Sequence, residues 1–269
     1  TTARYILVCE FLERLAFYGF SASLLLYFVT YLDYSNEEAF NTIYIWTGFI
    51  YITPLVGGYI ADTYCNRYDT WMRFSIPYLI GFMMFTIACE PDITSEALVY
   101  VSIYLIAIGT GGVKPVIAAL GADQFDVLLF PQDAIEYELF FSYFYWAINL
   151  GALIAFSIIA YICQYGIEPL GGPDWGFFIG MCLSFFAFAF AIISLMAGYS
   201  QYNIKKPQGT MFTTAIYIVY DAIKVTCIHC CSCIMTKSIK NRYKIKDRGI
   251  SSTGDSSLNM RMDSSSLAL

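Results

Sequence analysis

Charge is what this sequence has least of. Its 269 residues include 15 Lys and Arg and 21 Asp and Glu, 13% of the chain, where a soluble domain carries roughly 25%. A chain so poor in charge cannot cover a soluble surface, which excludes a cytosolic enzyme or a disordered scaffold. A net charge of −6 also excludes a nucleic-acid partner. Histidine is nearly absent: His229 stands alone, so imidazole chemistry has a single candidate. No HExxH run and no nucleophile–base pair appears, so neither catalytic residues nor an enzymatic activity is expected, and a membrane-embedded hydrolase or lipid transferase is the rejected alternative.

Hydrophobic residues, by contrast, make up 58% of the chain and aromatics 18%. A bilayer core takes about 20 apolar residues per helix, and six such stretches fall near 4–31, 43–61, 72–89, 97–121, 139–163 and 175–199. They lack the dyad alternation of barrel strands, so the expected fold is an all-α membrane protein with six transmembrane helices. The chain opens at Thr1 inside an apolar run, which reads as the cut edge of a fragment and not as a signal peptide.

The position of the basic residues predicts orientation. Segments 33–42, 90–96 and 164–174 hold Asp33, Glu37, Glu38, Glu90, Asp92, Glu96, Glu168 and Asp174 and no Lys or Arg, whereas Arg4, Arg67, Arg73 and the basic tail lie on the other side. The positive-inside rule therefore puts both ends in the cytosol. The six-helix bundle is expected over 1–200, an amphipathic and Cys-rich inner-face helix over 201–235, and a disordered cytosolic linker over 236–269. Phe212, Ile216, Val219 and Ile223 share one side of that helix.

The nine cysteines read mostly as apolar fillers. Cys89 and Cys163 fall near one membrane face, which leaves a bridge geometrically open. Cys227, Cys230, Cys231 and Cys233 form one dense group beside His229. They lack the paired CxxC spacing of a zinc site, so no metal is expected; unmodified thiols and reversible palmitoylation remain the two readings.

Two basic residues are left inside apolar spans, Arg14 and Lys114. Glu10 and Glu13 precede Arg14 at i, i+3, i+4 spacing, which puts all three on one helical face. Charges in a span are costly unless they face a cavity and pair, so four ionisable groups on two helices point to an ion or substrate path; a salt-bridge staple between helices is the plainer alternative. Around Lys114 runs Gly109-Thr110-Gly111-Gly112-Val113-Lys114-Pro115. The glycines allow close backbone approach and the proline removes a donor, so the helix is expected to bend or open beside the lysine, unless the glycines serve packing alone.

Glu10 to Gly19 (EFLERLAFYG) resembles the ExxERFxYYG motif of the proton-dependent oligopeptide transporters, the POT/PTR2 branch of the major facilitator superfamily. Gly109 to Phe125 (GTGGVKPVIAALGADQF) and Phe140 to Leu153 (FFSYFYWAINLGAL) are similar to that family's two signatures. Gly57-Gly58-Tyr59-Ile60-Ala61-Asp62 with Arg67-Tyr68 resembles the superfamily's loop motif, here Gly58, Asp62 and Arg67. Short stretches, Ala16 to Leu24 and the Cys230-Cys231-Ser232 run, look nearest to the animal peptide/histidine transporters.

The resemblance implies the N-terminal half-bundle of a twelve-span fold, with a missing C-terminal six-helix bundle as partner. It implies Glu10, Glu13, Arg14 and Lys114 as the proton-coupling cluster, with Lys114 pairing with a carboxylate of the cluster or with a peptide's C-terminus. It implies Tyr18, Lys114, Tyr145 and Asn149 as substrate contacts. Protons would be the coupling ion, with no other cofactor. The substrates implied are di- and tripeptides or histidine; the alternatives are another small anion such as nitrate, or a truncated, non-transporting protein that associates with a full-length carrier. The membrane implied is endosomal, lysosomal or plasma membrane. Leu15 and Phe17 depart from the motif, so one tyrosine hydroxyl is missing. Ser21 and Tyr44 stand where intestinal-type relatives have arginine and histidine, and Asn66 and Ala152 replace a glycine and a serine.

Overall fold

The computed structural model describes residues 3–93, 95–126, 133–207 and 217–224. The chain divides into two units, Thr1–Thr210 and Met211–Leu269. In the second, residues 217–224 are helical; Phe212, Ile216, the Cys227–Cys233 group and the basic run after it lie outside the described residues.

The first unit is helical throughout its spans. In order come α1 (Ala3–Tyr31), α2 (Asn36–Thr63), α3 (Arg67–Ala88), α4 (Glu96–Ala122), α5 (Asp133–Ile154), a π turn (Ala155–Ile159) leading into α6 (Ala160–Tyr165), and α7 (Gly176–Ala197). Among the described residues, six helical stretches are long and apolar enough to cross a membrane, with α5 and α6 forming one of them. α2 and α3 begin well ahead of their apolar stretches. Hydropathy marks the part that lipid covers, while the helix extends to the residue that can cap it. Ser35 starts α2 with a capping box, its hydroxyl accepting from the Glu38 N–H at 3.3 Å while Glu38 accepts from the Ser35 N–H at 3.0 Å. Asn66 starts α3, its Oδ1 accepting from the Asp69 N–H at 2.8 Å.

α1 and α4 are the interior helices, with 56% and 61% of their apolar windows buried, against 17% in α2. α4 packs between α2 and α3, and α1 packs against α5 and α7. Small residues set these approaches. A methyl at Gly57 of α2 would run into the Gly111 carbonyl of α4, and one at Gly109 or Gly112 would strike Tyr78 or Phe74 of α3. Side chains then tie backbone carbonyls across helices: Trp46 Nε1 donates to Ile103 O at 2.8 Å, Thr53 Oγ1 to Ala107 O at 2.9 Å, and Tyr27 OH to Ala88 O at 2.7 Å. Without water nearby, such bonds hold helices together where apolar burial alone gives little preference over lipid.

One expectation changes here. α4 does not open beside Lys114; it is helical without interruption from Glu96 to Ala122, Pro115 included. The glycines before Pro115 are occupied by contact with α2 and α3, which holds the turn together although Pro115 gives no N–H to Gly111. The irregular turn lies instead at Ala155–Ile159. Cys89 and Cys163 are both buried and both free thiols.

Candidate functional site: a buried charge cluster beside a cavity

The i, i+3, i+4 spacing on α1 does what its geometry dictates. Arg14 Nε lies 3.1 Å from Glu10 Oε1 and 2.5 Å from Glu13 Oε2, with the two glutamates 3% and 1% exposed. The Arg14–Glu13 approach is a contact of charges not aligned as a hydrogen bond. The other Glu13 oxygen accepts from Tyr78 OH of α3 at 3.1 Å. Two carboxylates therefore share one guanidinium, an arrangement with a net negative charge in an apolar surrounding that needs a further cation nearby.

That cation is Lys114 of α4, yet among the described residues it forms no ion pair with either carboxylate. Its ammonium sits over the face of Phe17, 3.2 Å from the ring centroid, where the ring's negative face attracts it. Phe17 in turn stacks on Trp46 of α2, centroids 6.3 Å apart. With all four ionisable groups charged, the set is neutral.

Arg14 and Lys114 open onto a cavity of about 550 Å³ between α1, α2 and α4, walled further by Phe17, Tyr18, Ser21, Trp46, Thr47 and Tyr51. No carboxylate lines it among the described residues. It thus presents two cations, aromatic faces and hydroxyls, a surface suited to an organic anion. Tyr18 is at this wall, beside Phe17 and Phe156. Tyr145 and Asn149 are not. They lie on the exposed side of α5, Tyr145 at 68% exposure, and Asn149 Nδ2 donates to the Tyr145 carbonyl at 2.7 Å. Tyr44 is exposed on α2 in the same way.

A second charged group forms where α2 ends and α3 begins. Arg67 reaches Asp62 at 3.9 Å and is in closer contact with Asp123, the C-cap of α4. Lys205, beyond α7, meets the other oxygen of Asp123 at 3.5 Å. Gln124 Oε1 accepts from the Asn203 N–H at 2.9 Å, fastening the chain after α7 to the end of α4. A methyl at Gly58 would meet nothing within 4 Å; the close approach belongs to Gly57.

Sequence reasoning did not find Phe17 as the seat of Lys114, nor Tyr78 as a partner of Glu13, nor Asp123 as the hub between Arg67 and Lys205. The departure of Phe17 from the tyrosine of the motif was the available signal for the first; one tyrosine among 23 offered none for the second.

A family model described as the POT family matches residues 68–260. The chain is 34% identical over 239 residues to Protein NRT1/ PTR FAMILY 8.1 of Arabidopsis thaliana, covering 82% of this chain and 40% of that protein. It is also 34% identical over 222 residues to Peptide transporter family 1 of Drosophila melanogaster, covering 82% of this chain and 29% of that one. A crystal structure of an auto-inhibited POT family peptide transporter superposes with a TM-score of 0.64 at 29% identity, over 78% of this chain and 39% of that one. The chain spans two fifths or less of the length of these three proteins. Six apolar spans, the charge cluster on α1 and α4 and these matches together make the chain a multi-pass membrane protein that belongs to the POT family.

Proposed function

We propose that these six spans supply the proton-coupling half of a carrier that moves small peptides or histidine together with protons. The observation that supports this most is the set Glu10, Glu13, Arg14 and Lys114, neutral when all four are charged, behind a cavity walled by two cations and, among the described residues, no carboxylate. A proton added to either glutamate leaves that set with one positive charge in excess. The cavity then favours an anionic group more strongly, so proton and substrate carboxylate stabilise one another's binding. When both have left, the carboxylates again neutralise Arg14 and Lys114. Coupling thus needs no cofactor other than the proton.

In this reading Arg14 and Lys114 receive the C-terminal carboxylate of a peptide or the carboxylate of histidine, and Tyr18 borders the pocket. Tyr145 and Asn149, exposed on α5, contact substrate from the side that faces a second six-helix bundle, which supplies the groups for a substrate's amino end. Alternating access is rocking of one bundle against the other. Both ends of the six-span unit lie in the cytosol, with Arg67, Asp123 and Lys205 at that face.

A carrier for a small inorganic anion is the second reading, favoured by the same two-cation wall. Uptake of labelled dipeptide, histidine and nitrate at acidic outer pH by the complete carrier separates the two. Acid-stimulated dipeptide or histidine uptake is expected; saturable nitrate uptake with neither of the others would overturn the proposal. The six spans alone, in liposomes, are expected to give no proton-driven dipeptide uptake.

A further inference from the structure

A second concavity, unrelated to the charged cavity, runs along the seam between α3 and α7. It measures about 330 Å³, and Arg73, Ile76, Leu79 and Ile80 of α3 line it with Ile192 of α7. Ile76 and Ile80 are 60% and 40% exposed, so the groove faces the surroundings of the bundle.

Arg73 sits at one end of this groove and is exposed. Its Nη1 donates to Cys65 Sγ at 3.2 Å, and among the described residues it forms no ion pair. It lies six positions inside the start of α3 at Arg67, close enough for its guanidinium to reach back to the layer of lipid headgroups. From Arg73 to Ile80 the helix rises roughly 10 Å at 1.5 Å per residue, all along apolar side chains. Ser75, also at the groove, turns its hydroxyl onto the Met72 carbonyl at 2.7 Å. Among the described residues of the lining, Arg73 is the one that carries a charge. An exposed guanidinium at the membrane edge attracts anionic headgroups, and a lipid phosphate can take charge-assisted hydrogen bonds from it.

We infer that this groove binds an anionic phospholipid, its phosphate on Arg73 and part of one acyl chain laid along Ile76, Leu79, Ile80 and Ile192. Charge complementarity selects the headgroup and the apolar floor selects a lipid over a soluble phosphate. Because α3 and α7 both border the groove, the bound lipid bridges two helices.

Native mass spectrometry of the full chain, released from detergent with added phosphatidylglycerol or phosphatidylcholine, tests this. Phosphatidylglycerol adducts are expected to exceed phosphatidylcholine adducts. Arg73→Gln should weaken phosphatidylglycerol binding at least tenfold, and Arg73→Lys should recover most of it. Ile80→Trp, which fills the floor and leaves Arg73 intact, should weaken it as well. Unchanged adducts in Arg73→Gln would overturn the site. So would loss in Arg73→Gln without loss in Ile80→Trp, or equal competition by glycerol 1-phosphate, since either would reduce it to surface charge attraction. A change from dimer to monomer in Ile80→Trp with lipid adducts unaltered would assign the groove to a second copy of the chain and end the lipid assignment.

Discussion

The ammonium of Lys114 rests over the Phe17 ring, 3.2 Å from its centroid, and not on either glutamate of the neighbouring helix. This keeps a cation at the cavity wall without neutralising it. If the ring is removed, the nearest compensation for Lys114 is a carboxylate of α1, which a substrate's own carboxylate must then displace. Phe17→Leu is expected to raise the KM for an anionic substrate by roughly fivefold, the equivalent of about 1 kcal/mol for a partly desolvated cation–π contact. Phe17→Tyr, which keeps the ring face, should stay within about twofold. Uptake kinetics of the two variants in the complete carrier check this; an unchanged KM in Phe17→Leu would separate the contact from substrate binding.

The α2–α4 seam gives a prediction with its own control. Gly57→Ala places a methyl against the Gly111 carbonyl, whereas Gly58→Ala meets open space. Overpacking of a backbone contact costs about 1–3 kcal/mol. Thermal unfolding in detergent should show a lowered midpoint for Gly57→Ala and a near-native one for Gly58→Ala. Equal midpoints would contradict the seam as described.

Asp123 holds Arg67 on one oxygen and Lys205 on the other, and is 7% exposed. Asp123→Asn leaves two cations facing a neutral amide and should cost about 1–3 kcal/mol. Lys205→Ala removes a partner that is 40% exposed in its side chain and should cost below about 1 kcal/mol. Unfolding measured at low and high salt orders the two; a larger loss for Lys205→Ala would show that Asp123 is not the hub.

The parts of this structure that were legible in the sequence are those where chemistry conflicts with lipid. Glu10, Glu13, Arg14 and Lys114 stand out because a charge in an apolar run is rare, and their spacing already fixed a shared face on α1. Helix starts were less legible: hydropathy placed α3 from residue 72, while the Asn66 cap carries it back to Arg67. The glycines near Lys114 were conspicuous, but close packing and local opening call for the same residues. What could not be read was which of 22 phenylalanines would meet Lys114, because an aromatic side chain in a membrane helix is ordinary until its neighbour is known.

Glu13 is the carboxylate tied to both Arg14 and Tyr78, and the proposal gives the coupling proton to it or to Glu10. The decisive measurement is transport by the complete carrier with Glu13→Gln, and with Glu10→Gln and Glu13→Gln together, in liposomes, comparing uptake driven by a pH gradient with exchange of substrate at equal pH. Loss of gradient-driven uptake with exchange retained, in the single or only in the double variant, is the predicted result. Gradient-driven uptake at the native rate in both would contradict the account.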